Sequence, residues 1–235
     1  RARPAAAFAA LIASLFAAPA GANTVILYSN DFETSNVPLA VNCGNSLDIT
    51  GINALFGTPD FSYEQQFTVE AVFLADPSGL YSNPSGAGGQ YALGMLSTLQ
   101  DDRLALTFDA GTYPFFNVGL DLSSIDIQGC GGNFGVAAPV MAISVLDSPG
   151  GAFDWGNAVL DSGTITGAAA PDAWTFLWTS GVLPLDISGA TDGHVSVVFD
   201  LTQSGYAAFD NLVMTASTDE GVVDVDLDGQ PDDDD

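Results

Sequence analysis

Short apolar runs separated by turn-forming clusters fill the middle of the chain and constrain what it can fold into. Runs rich in β-branched and aromatic residues span 67–74, 104–108, 115–122, 140–146, 174–178, 195–201 and 207–216. Between them, clusters of Gly, Pro, Asn, Asp and Ser supply the chemistry of hairpins and loops. No long segment shows the 3.6-residue periodicity of an amphipathic helix. The pattern predicts an all-β protein, an antiparallel β-sandwich or jelly roll.

The first 22 residues have a different composition. Arg1 and Arg3 precede an Ala-rich apolar run, which gives way to small residues before Asn23. This order of charged, apolar and small residues predicts a secretory signal peptide cleaved after Ala22. The apolar run is short for a membrane-spanning helix and has no stop-transfer flank. We therefore expect a secreted or cell-surface protein with no transmembrane segment in the mature chain; a true membrane anchor is the alternative.

Acidic residues dominate the charge of the chain. Asp and Glu number 29 against 3 Lys and Arg, which gives a formal net charge of −26. Binding of phosphates requires clustered Lys and Arg, so this composition excludes nucleic acid as a natural partner. Carboxylates at this density repel one another unless cations neutralise them, which favours divalent ions or a saline habitat.

The last twelve residues place acidic side chains at alternating positions around a glycine. Counted from Asp224, the oxygen donors of a calcium loop fall at positions 1, 3, 5, 7, 9 and 12, namely Asp224, Asp226, Asp228, Gln230, Asp232 and Asp235. Gly229 at position 6 permits the sharp turn of such loops. The spacing predicts a Ca²⁺ site, with a solvated acidic tail as the alternative. Pro231 at position 8 disfavours an EF-hand, since proline has no backbone N–H to donate.

Residues 224–235 resemble a thrombospondin type 3 repeat, whose pattern is D-x-D-x-D-G-x-P-D-x-x-D. The resemblance covers these twelve residues and implies a calcium-binding linker on the exterior of secreted or surface proteins. The run of aspartates breaks off at Asp235, so we expect a truncated repeat. Residues 218–235 are therefore interpreted as an acidic calcium-binding linker and residues 23–217 as the β-sandwich domain. The combination of parts is also similar to bacterial surface proteins of the PEP-CTERM group.

A second candidate calcium site joins the two ends of the sandwich domain. Asn30-Asp31-Phe32-Glu33 follows the first strand, and Phe209-Asp210-Asn211-Leu212 lies in the last. This pairing resembles jelly rolls of the galactose-binding-like, carbohydrate-binding class. The resemblance implies a structural calcium between the first and last strands, with Glu33 and Asp210 as ligands and Asp31 or Asn30 assisting. Ordinary turn acids near a strand end are the alternative.

Two cysteines, Cys43 and Cys130, both lie in Gly- and Asn-rich surroundings. In an exported protein, a single pair of cysteines predicts one disulfide. Metal ligation by the pair is the alternative, and it is weaker because no third Cys and no nearby His accompanies them.

The sequence contains no recognisable catalytic pattern. His194 is the single histidine, and we interpret it as an exposed turn residue because it follows Asp192-Gly193. No serine stands in a G-x-S-x-G elbow, and nothing identifies the pair of carboxylates that glycoside hydrolysis needs. We expect a non-enzymatic binding or adhesion module whose partner is an extracellular glycan or a surface or matrix protein. The alternatives are a structural matrix component with a calcium-stiffened linker and a secreted glycan-active enzyme.

Aromatic side chains could form a platform for sugar rings, which suit flat apolar surfaces. The candidates are Trp155, Trp174, Trp178, Tyr81, Tyr91 and Tyr113. Trp174 and Trp178 share parity in a strand-like run, so core packing is the favoured interpretation for them.

Overall fold

The computed structural model of the protein describes residues 23–37, 46–49, 52–67, 69–74, 82–97, 102–125 and 137–221. Within them, the strands in chain order are β1 (Thr24–Asn30), β2 (Ser46–Ile49), β3 (Glu64–Gln66), β4 (Val69–Phe73), β5 (Tyr91–Leu96), β6 (Arg103–Asp109), β7 (Phe115–Ser124), β8 (Val140–Asp147), β9 (Val159–Thr166), β10 (Thr179–Asp186), β11 (His194–Gln203) and β12 (Tyr206–Ser217). A short helix, α1 (Ile52–Phe56), and a 3₁₀ turn at Pro149–Gly151 complete the described elements.

The strands form two antiparallel sheets. The large sheet has the order β10-β7-β12-β5-β4-β2, with β1 also pairing with β12, and the small sheet has the order β3-β6-β11-β8-β9. Phe199 of the small sheet and Phe209 of the large sheet stack between them with ring centroids 5.9 Å apart. The predicted all-β sandwich is therefore confirmed.

Alternating side chains build the core between the sheets. On β8, the buried Met141, Ile143 and Val145 alternate with half-exposed residues, as expected for a strand with one face against the core. Predicted strands 104–108, 115–122, 140–146, 195–201 and 207–216 each fall inside an observed strand. No helix among the described residues is long and apolar enough to cross a membrane.

Strand β12 has three neighbours, and this arrangement positions the candidate site. It pairs with β7 along one edge; along the other it pairs with β5 over Tyr206–Phe209 and with β1 over Leu212–Ser217. Its register with β7 shifts between Asp210 and Val213. Asp210 thus lies where β5 gives way to β1, close to the point at which the chain leaves β1.

A second apolar cluster covers the outer face of the large sheet. Tyr206 and Ala208 belong to this cluster, whereas the alternate residues Ala207 and Phe209 face the core between the sheets. Trp174 and Trp178 pack against the outer cluster from the segment that precedes β10.

The prediction of a strand over residues 174–178 is wrong. Apart from an isolated bridge at Thr175, this segment is irregular, and Trp174 has a left-handed φ of 61°. The sequence pattern of this segment resembles that of a strand because its aromatic side chains cover an apolar surface. These residues are buried by side-chain packing and not by backbone pairing. The regular strand, β10, begins at Thr179.

Candidate functional site

Several predicted features lie outside the described residues. They are the signal peptide, the calcium loop from Asp224 to Asp235, the pair Cys43 and Cys130, and Tyr81. The calcium loop and the disulfide therefore stay predictions. The second candidate calcium site lies within the described residues.

The turn after β1 is held by Phe32. Its side chain is fully buried, its φ is 54°, and its ring packs edge-on against Phe56 and Phe209 with centroids 5.3 and 6.0 Å away. The backbone N–H of Phe32 donates to Asn30 Oδ1 at 2.8 Å, and that of Glu33 donates to Asp31 Oδ1 at 3.1 Å. These Asx turns, together with the buried ring, fix the direction of the chain at Glu33.

Glu33 reaches across to the segment that enters β5. Its Oε1 accepts backbone N–H bonds from Gln90 at 2.5 Å and Tyr91 at 3.0 Å. Gly89, with φ of 57°, lies so close that a side chain there would overlap the Glu33 carboxylate. Only glycine suits this position, both for its backbone conformation and for its space.

Asp210 is the most unusual group of the site. It is fully buried, its Oδ1 accepts the backbone N–H of Asn211 at 2.7 Å, and its Oδ2 has no hydrogen-bond partner in the structure. A Cβ on Gly88 would lie 2.6 Å from that Oδ2. The pKa of Asp210 is raised to about 8, with burial as the largest cause and the nearby carboxylates of Glu33, Asp121 and Asp31 as smaller ones, against the opposing hydrogen bond from Asn211.

The structure thus brings three predicted residues together, namely Asp31, Glu33 and Asp210. Asn30, the fourth, is engaged elsewhere: its Nδ2 donates to the hydroxyl of Tyr28 at 2.9 Å, and Tyr28 in turn bonds the hydroxyl of Tyr63. Burial raises the pKa of both tyrosines. Asn30 therefore supports the turn and the tyrosine pair.

Sequence analysis did not identify Asp121 and Asn211 as site residues. Asp121 is opposite Asp210 on β7 and accepts hydrogen bonds from Ser180 Oγ at 2.5 Å and Asn211 Nδ2 at 2.8 Å. Asn211 has a φ of 49°, which asparagine tolerates better than most residues. The sequence feature that could have identified Asp121 is its position within an apolar strand, where a charged side chain needs a partner. A pocket of about 350 Å³ on the outer face of the large sheet is lined by these side chains and Val182.

Among the described residues, no group of three or more His, Cys, Asp and Glu side chains is arranged so that it could hold a metal ion. Any cation at Asp210 would therefore need further oxygen atoms from the backbone or from water.

The aromatic candidates are dispersed. Trp178 stacks on Phe176 with centroids 5.6 Å apart, and its Nε1 donates to Asn83 Oδ1 at 3.2 Å. With Trp174 packed on the same cluster, the interpretation of these two as packing residues is confirmed. Trp155 is 39% exposed and contacts Phe153 edge-on in the loop between β8 and β9.

No protein-family model and no curated protein matches the sequence. Among solved structures, TmCBM61 in complex with β-1,4-galactotriose is 14% identical, with a TM-score of 0.38 over 66% of this chain and 88% of that one. A CBM4 structure is 10% identical, with a TM-score of 0.38 over 80% and 97% of the two chains. An apo-form cyclase from Fischerella sp. is 15% identical, with a TM-score of 0.45 over 82% and 96%. Identities this low assign neither a ligand nor an activity to this chain.

Proposed function

We propose that this chain is a calcium-stabilised, non-catalytic β-sandwich of the cell exterior that binds carbohydrate. The observation that carries the calcium part is Asp210, a fully buried carboxyl group whose Oδ2 has no hydrogen-bond partner and which lies among three other carboxylates. A buried polar atom without a partner is costly, and a buried charge is costlier still. A proton or a cation on this carboxyl group would remove that cost.

Charge compensation by the protein itself is scarce. Arg103 is the single Lys or Arg within the described part of the chain, and it forms an ion pair with Asp200 at 3.0 Å, on the small sheet. Within the part of the chain that the structure describes, no arginine or lysine thus offsets the carboxylates around Asp210. A divalent cation would relieve their mutual repulsion and complete the bonding of Asp210 Oδ2.

The donor chemistry fits calcium. Calcium binds six to eight oxygen atoms and accepts carboxylates, backbone carbonyls and waters in flexible geometry. Asp210 and Glu33 would hold the ion, and Asp31 is near enough to add charge. The ion would supply positive charge only, since calcium has no redox chemistry under these conditions.

The site would tie together segments that are distant in sequence. Glu33 follows β1, Gly88 and Gly89 precede β5, and Asp210 lies in β12. An ion that binds the folded arrangement and not the unfolded chain stabilises the fold in proportion to its occupancy. The loops of the sandwich would then be supported by a scaffold whose stability depends on calcium.

A non-catalytic role agrees with the surroundings of the sole histidine. His194 is the first residue of β11 and not a turn residue as the sequence suggested; it is partly exposed, and its Nδ1 lies 3.1 Å from Asp192 Oδ1. The acidic character of the chain opposes binding of anions, and uncharged polyhydroxylated ligands avoid that repulsion. An exported, acidic sandwich with polar pockets therefore fits neutral glycans best.

Thermal unfolding in calcium and in EGTA tests the calcium proposal. At a free calcium concentration about 100-fold above Kd, binding stabilises the fold by about 2.7 kcal/mol. For a domain of this size that corresponds to a rise in Tm of about 5–10 °C. The Asp210→Asn protein should lose the calcium-dependent rise, and Asp172→Asn, which replaces an exposed aspartate, should keep it. An equal rise in both variants would place the stabilising ion elsewhere.

A glycan array probed with the full chain, in calcium and in EGTA, tests the carbohydrate proposal. Binding to one or more glycans in calcium is the expected result. If no glycan is bound in either condition, the carbohydrate-binding function is wrong, and a structural role at the cell surface becomes the better interpretation.

A further inference from the structure

Two loops at one end of the sandwich enclose a pocket of about 420 Å³. One loop connects β6 to β7 and contributes Thr112, Tyr113 and Pro114. The other connects β10 to β11 and contributes Ser188, Thr191 and Asp192. The pocket lies apart from the Asp210 cluster and shares no lining residue with it.

Backbone hydrogen bonds hold the two loops together. Ala110 N–H donates to the carbonyl of Gly193 at 2.9 Å, and Ile187 N–H donates to the carbonyl of Pro114 at 2.8 Å. Gly193 has a φ of 86° and lies against the carbonyl of Gly111 with no room for a side chain. A site built this way is largely preformed, which lowers the entropic cost of binding a ligand.

The polar rim of the pocket is also fixed in place. Thr191 donates from its backbone N–H and from Oγ1 to the carboxylate of Asp147, at 2.9 and 2.5 Å. Asp192 accepts the backbone N–H of Gly150 at 2.7 Å and that of His194 at 3.1 Å. These bonds lower the pKa of Asp192, with the bond from Gly150 as the largest contribution, so it remains an ionised acceptor.

The lining selects a class of ligand by its chemistry. It combines hydroxyl groups and an ionised acceptor with the ring of Tyr113, which is partly buried against the main core, and with Pro114. It includes neither Lys nor Arg, so anionic groups would meet Asp192 without compensation. A purely apolar ligand would leave the hydroxyls and the carboxylate desolvated without new bonds. A neutral molecule with one C–H face and several hydroxyls matches both parts of the lining.

We propose that this end pocket is the saccharide-binding site of the protein, and that it takes one or two residues of a neutral glycan. The inference rests on the proposed carbohydrate-binding function and assigns it a location. Tyr113 and Pro114 provide the apolar surface, while Asp192 and the hydroxyls of Thr112, Ser188 and Thr191 form the polar rim.

The pocket around Asp121 on the outer face of the large sheet is a weaker candidate for the same ligand. Its polar side chains already bond one another, because Ser180 and Asn211 both donate to the Asp121 carboxylate. Polar groups of the end pocket are bonded within the protein as well, as Thr191 Oγ1 is to Asp147, so the two pockets are distinguished by their size and by the aromatic ring. The end pocket has the larger volume and the aromatic ring.

The test measures binding of the full chain, in calcium, to neutral oligosaccharides of glucose, galactose, xylose and mannose, and to oligogalacturonate as an acidic comparison. Two variants target the pocket: Tyr113→Ala removes the ring, and Thr112→Trp fills the opening from an exposed position. Trp155→Ala is the matched control, since it removes an exposed aromatic ring outside the pocket. The Tm of each variant is measured in parallel, so that Thr112→Trp remains informative if Tyr113→Ala unfolds.

We expect wild type to prefer a neutral oligosaccharide, with binding about tenfold weaker in Tyr113→Ala and abolished in Thr112→Trp, because stacking and access are lost. Trp155→Ala should bind as wild type does. Unchanged affinity in both pocket variants overturns this inference and leaves the carbohydrate-binding function standing. A preference for oligogalacturonate would show that the ligand is acidic and would overturn the assignment of a neutral glycan. Failure of wild type to bind any glycan removes the proposed function itself, and the inference with it.

Discussion

Asp121 on β7 and Asp210 on β12 are cross-strand partners, so two carboxyl groups face the same side of the large sheet. Like charges directly opposite one another destabilise an antiparallel pair. Asn211 contacts both groups, since its backbone N–H donates to Asp210 and its side-chain amide donates to Asp121. These bonds reduce the repulsion between the two carboxyl groups but leave Oδ2 of Asp210 without a hydrogen-bond partner. A proton or a cation is the remaining means of compensation.

We expect Asp121→Asn to lower the pKa of Asp210, measured in EGTA by NMR titration of the side-chain carboxyl carbon. The substitution removes one of the charges that disfavour ionisation of Asp210. Asp154→Asn, in the loop between β8 and β9, is the control and should leave the titration unchanged. A pKa of Asp210 that is equal in all three proteins would contradict the coupling of these carboxylates.

In EGTA, the stability of the wild-type protein should fall as the pH rises from 5 to 8. The unfolded chain releases the Asp210 proton near pH 4, whereas the folded protein retains it up to about pH 8. Between these values the folded state binds more protons, so the free energy of unfolding decreases with pH. Urea unfolding at pH 5 and pH 8 measures the slope, and Asp210→Asn should flatten it. With saturating calcium the slope should also shrink, since the ion favours the ionised carboxylate.

The strand pattern of the sequence predicted the sandwich because burial imposes a period of two wherever one face of a strand meets the core. β8, with Met141, Ile143 and Val145 turned inward, is such a strand. The same reasoning failed at Trp174, where aromatic residues cover an outer apolar cluster without pairing as a strand. Short edge strands such as β3, which has three residues, carry too few positions for any period to be visible.

The candidate site was predictable only in part. Glu33 and Asp210 stand in short segments at the two ends of the domain, and the structure brings them together. Asp121 could not be placed beside them, because its proximity depends on the register of β7 against β12. The role of Gly88 and Gly89 was not predictable from the sequence either, since it depends on their close approach to carboxylates from distant segments.

Gly89→Ala should destabilise the protein more than Gly86→Ala. Both glycines have positive φ, so each substitution has a backbone cost of about 1–2 kcal/mol. A side chain at residue 89 would also overlap the Glu33 carboxylate, whereas no atom lies within 4 Å of a Cβ at residue 86. The difference between the two losses in free energy of unfolding measures the cost of the steric overlap with Glu33. Equal losses would show that Glu33 moves aside without cost, in which case the calcium affinity should fall instead.

Trp178→Ala should lower stability by about 2–3 kcal/mol, since a large ring is removed from the outer cluster. The loss includes stacking on Phe176 and the hydrogen bond to Asn83. Trp155→Ala, in an exposed loop, should cost less than about 1 kcal/mol. Glycan affinity is expected to be unchanged in any Trp178→Ala protein that remains folded, and a selective loss of affinity would identify Trp178 as a sugar platform.

The predicted loop at Asp224–Asp235 should bind calcium without stabilising the sandwich. The last described residue, Gly221, is tied to the sheet by its N–H bond to Asn117 Oδ1 at 2.8 Å. If all the ligands of that ion come from residues 224–235, as the sequence predicts, the ion joins no two segments of the domain. Asp226→Asn should therefore reduce the calcium stoichiometry measured by titration calorimetry and leave the calcium-dependent rise in Tm intact. Asp210→Asn should reduce the calcium stoichiometry and also remove the calcium-dependent rise in Tm. If Asp226→Asn abolishes the rise in Tm instead, the stabilising ion belongs to the linker, and Asp210 is compensated by a proton.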